Sequence, residues 1–239
     1  MSHFITPRIF RILCPNIILT EGYEYGSFHF LEPSFLHNYT DSTQLHAEEL
    51  GNAVPEKPMI FTKPSYAVAW MDGDTHMLPG GKGEIHYEAE LVIRIGSGYE
   101  PGKKAEDLIE SVALGIDYTL REVQNKLKEK GHPWLEAKGF LGSAGLTDFH
   151  VFEGIHKLTD ETFSLQINEK TVQKGNVADM IFGLDAIVSY IGTHFGLNEG
   201  DIIYTGTPAG VGTVRHGDEL ALLWGEQLWG TCTLHLRKS

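Results

Sequence analysis

The sequence predicts an α+β fold that is mostly β, with many short strands and few short helices. Its 27 glycines and 10 prolines separate short runs rich in β-forming residues. The segment 86–96 alternates polar and apolar side chains with the period of a strand. Helix signals, in contrast, are few and short. Together these features favour a sheet-based domain over a helical bundle.

The predicted strands follow one another from residue 59 to residue 236, and the helices lie between them. The clearest helix begins with a capping box, in which Thr119 is the N-cap and Glu122 the third residue, and ends at Gly131. Two further helices are predicted at 185–195 and 45–50. The predicted strands are Met59–Thr62, Ala67–Met71, Ile85–Ile95, Ser111–Ile116, Phe163–Ile167, Asp201–Thr205, Glu219–Leu223 and Leu228–Leu236.

Length and composition indicate one globular domain with an N-terminal extension. The 239 residues are 41% hydrophobic and 21% charged, which is ordinary for a folded soluble protein. Residues 1–36 are irregular and aromatic, so we interpret them as an arm, with the main domain at 37–239. The formal charge of −13 argues against nucleic acid as a partner, because phosphate binding needs clustered Lys and Arg.

Cysteine usage and the N-terminal segment predict a cytoplasmic protein. Cys14 and Cys232 are the only cysteines and are far apart, so neither a disulfide framework nor a thiolate metal site is indicated. The apolar run 9–19 is interrupted by Arg11 and Pro15 and is too short to cross a bilayer. No membrane partner is expected.

Three carboxylates provide the first chemical signal. Glu88 and Glu90 are two positions apart on a predicted strand, so they point the same way with Cβ atoms roughly 6–7 Å apart. Asp117 lies at the end of an apolar strand, two residues before the predicted start of the helix at Thr119. Taken alone, Glu88 and Glu90 would more often belong to a solvated strand face, and Asp117 would more often be a residue that introduces a helix. Converging carboxylates would instead suit a hard divalent cation such as Mg²⁺, Mn²⁺ or Ca²⁺.

Candidate groups for binding an anion follow further along the chain. Arg121 and Gln124 are three apart and therefore neighbours on one helix face. Lys138 is a lone cation between small residues, which by default would be a surface lysine. The segment 201–212 is a strand that enters a glycine-rich turn, whose amides and hydroxyls could bind an anion, but it lacks the pattern of a nucleotide-binding loop.

In their order along the chain, these segments resemble the fumarylacetoacetate hydrolase family. The resemblance covers roughly residues 37–236. It is carried by six spaced motifs, namely His86–Leu91, Asp117–Gln124, Gly131–Trp134 with Ala137–Phe140, Asn168–Gln173, Asp179–Phe182 and Gly200–Gly212. It implies a mixed β-sandwich roll with few helices, a homodimer, and small 2-oxo or β-diketo acids as substrates.

The resemblance also implies roles for individual residues. The positions that match the family's metal ligands are Glu88, Glu90 and Asp117, with Mg²⁺ as the expected ion and Mn²⁺ or Ca²⁺ as alternatives. Lys138 matches the active-site lysine. The positions that match contacts to substrate oxygens are Arg121, Gln124 and Thr207. A 2-oxo carboxylate offers two oxygens to a metal, and the ion and Lys138 supply the local positive charge that a net-negative protein needs.

One family element is altered in this chain. Hydrolytic members carry N-Y-x-x-H-x-x-E, in which the histidine takes a proton from water and the glutamate orients it. Here residues 40–45 lie between Asn38-Tyr39 and His46, which is four residues more than in this motif, and Glu49 keeps the H-x-x-E spacing. The two side chains can meet on a short helix, and histidine suits acid–base work near neutral pH. We predict a catalytic dyad of His46 and Glu49, alongside Lys138.

The function predicted first is a divalent-metal enzyme that acts on a small 2-oxo acid or diacid through an enolate held by the metal. Hydrolytic C–C cleavage of an acylpyruvate or fumarylpyruvate and decarboxylation of oxaloacetate lead this prediction. Keto–enol tautomerisation of oxaloacetate, or isomerisation of a dicarboxylate such as 2-hydroxyhepta-2,4-diene-1,7-dioate, is the first alternative. A non-catalytic calcium-binding module is the second. Displacement of the dyad would weaken hydrolysis most, because hydrolysis alone needs an activated water.

Overall fold

A computed structural model describes residues 57–237, together with the backbone of two short strands at 12–15 and 34–35. Strands dominate this part of the chain and the helices are few and short, as predicted. The strands are β1 (Ile12–Pro15), β2 (Ser34–Phe35), β3 (Ile60–Lys63), β4 (Val68–Trp70), β5 (Asp72–Pro79), β6 (Ile85–Tyr87), β7 (Ala89–Ile95), β8 (Ile109–Asp117), β9 (Thr119–Leu120), β10 (Ala144–Leu146), β11 (His150–Val151), β12 (Thr162–Ile167), β13 (Lys170–Asn176), β14 (Ile202–Tyr204), β15 (Thr207–Pro208), β16 (Gly212–Thr213), β17 (Glu219–Trp224) and β18 (Gln227–Arg237).

Five α-helices are present among the described residues, and none exceeds 12 residues. They are α1 (Ala105–Leu108), α2 (Arg121–Glu129), α3 (Leu135–Lys138), α4 (Ile155–Thr159) and α5 (Leu184–Phe195). Single 3₁₀ turns lie at Ser65–Ala67 and Val177–Asp179. Within the described part, no helix combines the length with the apolar composition that a bilayer-spanning segment needs.

The largest sheet contains eight of the described strands. Its order is β3-β1-β14-β7-β8-β10-β4. The short strand β11 pairs with the first part of β8, and β10 pairs with its last part. The central pair β7 and β8 is antiparallel, with Glu90 opposite Gly115. Gly115 is required there because a Cβ atom would lie 2.4 Å from the ring of Tyr204 and 2.8 Å from the carbonyl oxygen of Gly145.

A second sheet covers one face of the first. Its order is β13-β12-β17-β18-β5, and two small sheets, β16-β6-β9 and β15-β2, complete the described pairings. The main core lies between the two large sheets and helix α5, and includes Leu91 and Ile93 of β7, Leu165 of β12 and Ile187 of α5. This arrangement is the mixed β-sandwich that the sequence predicts.

The opposite face of β7 is also covered. Val92 packs there with Ala113, Leu146, Ile202 and Tyr204 in a second, smaller core. The alternating pattern of 86–96 indicated one apolar and one polar face, but both faces of this strand are buried. The acidic side chains of the polar face therefore lie inside the protein.

Two of the predicted elements differ from the structure near these acids. The predicted strand 85–95 is interrupted at Glu88, which separates β6 from β7. The predicted capping box at Thr119 is wrong, because Thr119 belongs to strand β9 and helix α2 begins only at Arg121, with Leu120 as an N-cap that has no side-chain capping bond. Pairing of β9 with β6 outweighs the local capping preference.

Other differences concern segments with little apolar alternation. Strands β5 and β13 were not predicted, because Asp72–Pro79 and Lys170–Asn176 are largely polar and their pairing partners in the second sheet hold them in place. The predicted helix 185–195 is confirmed as α5. Part of the predicted irregular arm, 12–15, is strand β1 and pairs with β3 and β14. The boundary at residue 36 stays a prediction, and the predicted helix at 45–50 lies outside the described residues.

Candidate active site

The three predicted metal ligands meet at the end of the central strand pair. Glu88 occupies the break before β7, Glu90 is the second residue of β7, and Asp117 ends β8. The backbone N–H of Asp117 donates to the carbonyl of Glu88 at 2.8 Å, which fixes the two strand ends side by side. All three side chains are fully buried, and each offers one oxygen within 4.8 Å of the other two.

Lys138 lies inside this carboxylate group. It is the last residue of α3 and is fully buried, so it is not the surface lysine that its sequence context alone would indicate. Its Nζ lies 2.7 Å from Glu88 Oε2, 2.7 Å from Asp117 Oδ2 and 2.6 Å from the hydroxyl of Thr119. Thr119 in turn donates to Glu88 Oε1 at 3.1 Å, a site contact that the capping interpretation missed.

A second buried lysine, Lys63, also faces the carboxylates and was missed in the sequence analysis. Its Nζ lies 2.7 Å from Asp117 Oδ1 and donates to the carbonyl and hydroxyl oxygens of Ser143 at 3.0 and 3.1 Å, and to the carbonyl of Lys138. Lys63 follows Phe61 by two positions on β3, so both side chains point to the same face of the strand. This alternation is the sequence signal that could have placed Lys63 inside. Asp117 is therefore approached by one ammonium group at each oxygen.

Arg121 and Gln124 flank Glu88 from the start of α2, as neighbours on one face. Arg121 donates from Nη2 to Glu88 Oε1 at 2.6 Å and from Nη1 to Gln124 Oε1 at 2.7 Å. Its Nε donates to Nδ1 of His86 at 3.2 Å. Burial lowers the pKa of His86, so the neutral ring can accept this bond at neutral pH. Gln124 is fully buried, and among the described residues its Nε2 has no hydrogen-bond acceptor.

Glu90 differs from the other two acids in its surroundings. Its Oε2 accepts a 2.5 Å bond from the N–H of Gly206, while its Oε1 is buried without a hydrogen-bond donor among the described residues. Burial, reinforced by the charge on Asp117, raises the pKa of Glu90 well above its usual value. Burial opposes ionisation of Asp117 as well, but Lys138 and Lys63 hold its pKa below the usual value.

These features fit a divalent cation. A buried carboxylate oxygen without a donor is costly unless a positive ligand supplies the missing interaction. Three converging carboxylates are the hard oxygen donors that Mg²⁺, Mn²⁺ and Ca²⁺ prefer. The group of Glu88, Glu90 and Asp117 can therefore hold a divalent metal ion. Glu90 Oε1, which accepts no hydrogen bond from the described residues, is the clearest candidate ligand atom.

Thr207, predicted to contact the substrate, lies in β15 beside the start of β7. Its hydroxyl donates to the carbonyl of Ala89 at 2.9 Å and accepts a 2.9 Å bond from Gln173 Nε2. Gln173 was not singled out by its sequence context. The predicted dyad of His46 and Glu49 lies outside the described residues and stays a prediction.

The fold and the site together define a class of protein. A β-sandwich that buries three carboxylates and two lysines at one strand end is suited to bind a divalent cation together with an anionic ligand. Comparison with known proteins places the chain more closely. The family described as "Fumarylacetoacetate (FAA) hydrolase C-terminal" matches residues 36–233. The chain belongs to this enzyme family, as the motifs predicted, and its membership argues against a non-catalytic calcium-binding module.

Relatives with established names support the same placement. Oxaloacetate tautomerase YcgM of Escherichia coli K12 is 37% identical over 182 residues, which cover 74% of this chain and 82% of that protein. The human mitochondrial oxaloacetate tautomerase FAHD1 is 38% identical over 188 residues, covering 77% and 81%. A crystal structure of fumarylpyruvate hydrolase from Pseudomonas aeruginosa, in complex with Mn²⁺ and pyruvate, has a TM-score of 0.73 and 27% identity, covering 99% of this chain and all of that one.

Proposed function

We propose that this chain is a divalent-metal-dependent enzyme that interconverts the keto and enol forms of oxaloacetate or of a closely similar 2-oxo dicarboxylic acid. The observation that carries the proposal is the convergence of Glu88, Glu90 and Asp117 around the ammonium group of Lys138. The names of the relatives that are 37% and 38% identical favour tautomerisation over the other reactions considered.

Positive charge at the site supports an anionic substrate. Lys63, Lys138 and Arg121 lie beside the three carboxylates, and a divalent cation held by these acids would add two positive charges. A 2-oxo acid is an anion, and this local positive charge would attract it to a protein whose formal charge is −13.

Substrate oxygens find donors at one edge of the cluster. Among the described residues nothing accepts from the buried Nε2 of Gln124, and such an amide donor costs about 1–3 kcal/mol when it is left without an acceptor. A substrate carboxylate or oxo group there would satisfy it. The Nη1 of Arg121 donates to Gln124 Oε1 at 2.7 Å, so its guanidinium lies beside the same amide. We assign these two residues to binding a carboxylate of the substrate.

Lys138 is our candidate for proton transfer. In the enol-to-keto direction the substrate loses a proton from its hydroxyl oxygen and gains one at the neighbouring carbon. The Nζ of Lys138 contacts two carboxylates and the hydroxyl of Thr119, which stabilise its ammonium form. It can give a proton to that carbon, and the proton released from the substrate hydroxyl restores the ammonium group, so the step needs no other acid. A divalent ion bound by Glu88, Glu90 and Asp117 would stabilise negative charge on the substrate's oxo group; we propose Mg²⁺ or Mn²⁺.

The proposal is tested with a panel of reactions on chelator-treated protein with Mg²⁺ or Mn²⁺ added back. Oxaloacetate tautomerisation is followed by the ultraviolet absorbance of the enol, alongside oxaloacetate decarboxylation and the hydrolysis of acetylpyruvate and fumarylpyruvate. We expect metal-dependent tautomerisation that Glu90→Gln abolishes and that the exposed control Glu226→Gln leaves unchanged. Equal tautomerisation by the parent protein and Glu90→Gln would refute the proposal.

Hydrolysis of a fumarylpyruvate-like substrate is the second candidate. The structural similarity to fumarylpyruvate hydrolase favours it, as does the H-x-x-E spacing of His46 and Glu49. If this dyad activates water, His46→Ala should lower hydrolysis about 100-fold or more and leave Mn²⁺ binding intact. Unchanged hydrolysis in that variant would remove His46 from the mechanism.

Assembly and location also belong to the proposal. We propose a cytoplasmic homodimer, as the sequence indicates, although one named relative is mitochondrial. Light scattering coupled to gel filtration tests the dimer, since a mass near the 26.6 kDa of one chain would contradict it. Fractionation of cells that express the full chain tests the location.

A further inference from the structure

The residue between the two glutamates is held by side chains on both of its backbone groups. The N–H of Ala89 donates to Gln173 Oε1 at 2.9 Å, and its carbonyl accepts from the hydroxyl of Thr207 at 2.9 Å. Both bonds are buried. Ala89 lies between Glu88 and Glu90, so these bonds act on the short backbone segment that joins two predicted metal ligands.

Side chains are needed there because the neighbouring strand turns away. On its edge opposite β8, strand β7 pairs with β14 only as far as Val92, opposite Tyr204, and Thr205 adds a backbone bond to the carbonyl of Leu91. Ala89 lies beyond the end of this ladder. Without Gln173 and Thr207, its buried N–H and carbonyl would have no partner on that edge among the described residues, which is unfavourable.

The two side chains also fix each other. Gln173 Nε2 donates both to the hydroxyl of Thr207 at 2.9 Å and to the carbonyl of Pro208 at 2.9 Å. Only the amide oxygen can accept from Ala89, so the orientation of the amide is determined by its partners. Each member of this buried network restricts the others, and the network links β13 and β15 to β7.

We propose that Gln173 and Thr207 are positioning residues that set the relative placement of the Glu88 and Glu90 carboxylates, and through it the affinity of the site for a divalent ion. Rotation about the φ or ψ angle of Ala89 would turn the Cα–Cβ direction of Glu88 relative to that of Glu90. The hydroxyl proton of Thr207 is committed to Ala89, so this residue acts on the ligand strand and does not donate its hydroxyl proton to the substrate. The inference rests on the proposed function in taking the acidic group as a metal site.

The test measures Mn²⁺ binding to the chelator-treated full chain without substrate, by calorimetry and by the electron paramagnetic resonance signal of free Mn²⁺. Gln173→Met keeps the length of the side chain and removes its amide. Loss of an outer hydrogen bond to a metal site weakens affinity by about 10- to 100-fold, and we expect that increase in Kd. Gln166→Met, on the neighbouring strand β12, is the matched control and should bind like the parent protein.

Two further comparisons separate positioning from general stability. Ile187 of α5 is fully buried in the main core and makes none of the network's hydrogen bonds, so Ile187→Ala lowers stability and leaves each of those bonds in place. We expect its Mn²⁺ Kd to stay within about twofold of the parent value, because it keeps every outer bond of the site. Thr207→Val should weaken Mn²⁺ binding, while Thr207→Ser, which keeps the hydroxyl, should restore it. This pair decides the question if Gln173→Met does not fold.

The outcomes distinguish this inference from the proposed function. If the parent protein binds Mn²⁺ and both Gln173→Met and Thr207→Val bind it within about twofold of the parent, which is below the usual effect of an outer ligand, the positioning role is overturned and the metal site stands. If the parent protein binds no divalent ion, the proposed function fails and the inference fails with it. Weaker binding in Ile187→Ala equal to that in Gln173→Met would also overturn the inference, by showing a general effect of stability.

Discussion

Replacement of Lys63 by methionine is the perturbation that most directly tests how the acidic group is stabilised. Methionine has nearly the same length and volume, so the substitution removes the charge without opening a large cavity. It takes away the ammonium group 2.7 Å from Asp117 Oδ1 and the two bonds to Ser143. Asp117 keeps Lys138 at its other oxygen.

The expected loss follows from these contacts. Removing one partner of a fully buried ion pair costs about 3–5 kcal/mol, because the remaining charge is left in a poorly polarisable interior. The carbonyl of Lys138 still accepts from the hydroxyl of Ser143, so that group adds little. A loss of about 3–5 kcal/mol is a large part of the 5–15 kcal/mol that stabilises a typical domain.

Urea unfolding of the full chain, with chelator and with Mn²⁺, measures this loss. In chelator we expect Lys63→Met to be less stable than the parent by the amount above, and the exposed control Lys174→Met to lie within about 0.5 kcal/mol of it. A bound divalent ion supplies positive charge beside Asp117, so the difference between Lys63→Met and the parent should shrink in Mn²⁺. A loss below about 1 kcal/mol in chelator would refute the claim that the buried Lys63–Asp117 pair stabilises the fold. An equal loss in Mn²⁺ and in chelator would refute the claim that a bound ion can replace part of the charge of Lys63.

Three further predictions concern pH, catalysis and substrate binding. The pKa of Glu90 is raised in the folded protein, so between the usual glutamate pKa and this raised pKa the metal-free folded chain holds a proton that the unfolded chain has lost. The stability of the metal-free protein therefore falls as pH rises through this window. Mn²⁺ must displace this proton, so its affinity should rise by up to about tenfold per pH unit in the same window. Calorimetry should find no such pH dependence of Mn²⁺ affinity in Glu90→Gln. Lys138→Met should lower the rate constant of tautomerisation by about 100-fold or more with KM little changed, whereas the exposed Lys157→Met should match the parent; a loss confined to KM would exclude proton transfer by Lys138. Gln124→Leu should raise KM for oxaloacetate by about 10- to 150-fold, because a hydrogen bond to a charged group is worth about 1.5–3 kcal/mol. Unchanged KM in steady-state kinetics would remove Gln124 from the substrate site.

Much of the site could be identified from the sequence because its chemistry is concentrated in short motifs. Glu88 and Glu90 could be placed together from strand periodicity, and Asp117 from its position at a strand end. The spacing of Arg121 and Gln124 predicted the direct contact that their side chains make. These inferences depend on neighbours within a few residues, where backbone geometry alone determines which side chains meet.

Other parts of the site could not be identified in this way. Thr119 carries a good local capping signal, yet its strand pairing with β6 places its hydroxyl between Lys138 and Glu88. Lys63 reaches Asp117 from 54 positions away in the chain, and Gln173 reaches Ala89 from 84 positions away. The alternation of Lys63 with Phe61 indicates an inward-facing side chain but not its partner, and the residues beside Gln173 indicate neither. Both contacts depend on which strands become neighbours.

The sequence by itself determined the mostly β class of the fold, the family, and the three acids that can hold a divalent ion. Only the tertiary structure decided that these acids are fully buried, that Lys63 and Lys138 neutralise Asp117, and that the backbone between the glutamates is held from β13 and β15. The physical reason is the range of the interactions. Periodicity and motif spacing are fixed by local backbone geometry, whereas burial and the partners of a charge are fixed by sheet order and packing, which join residues distant in the chain.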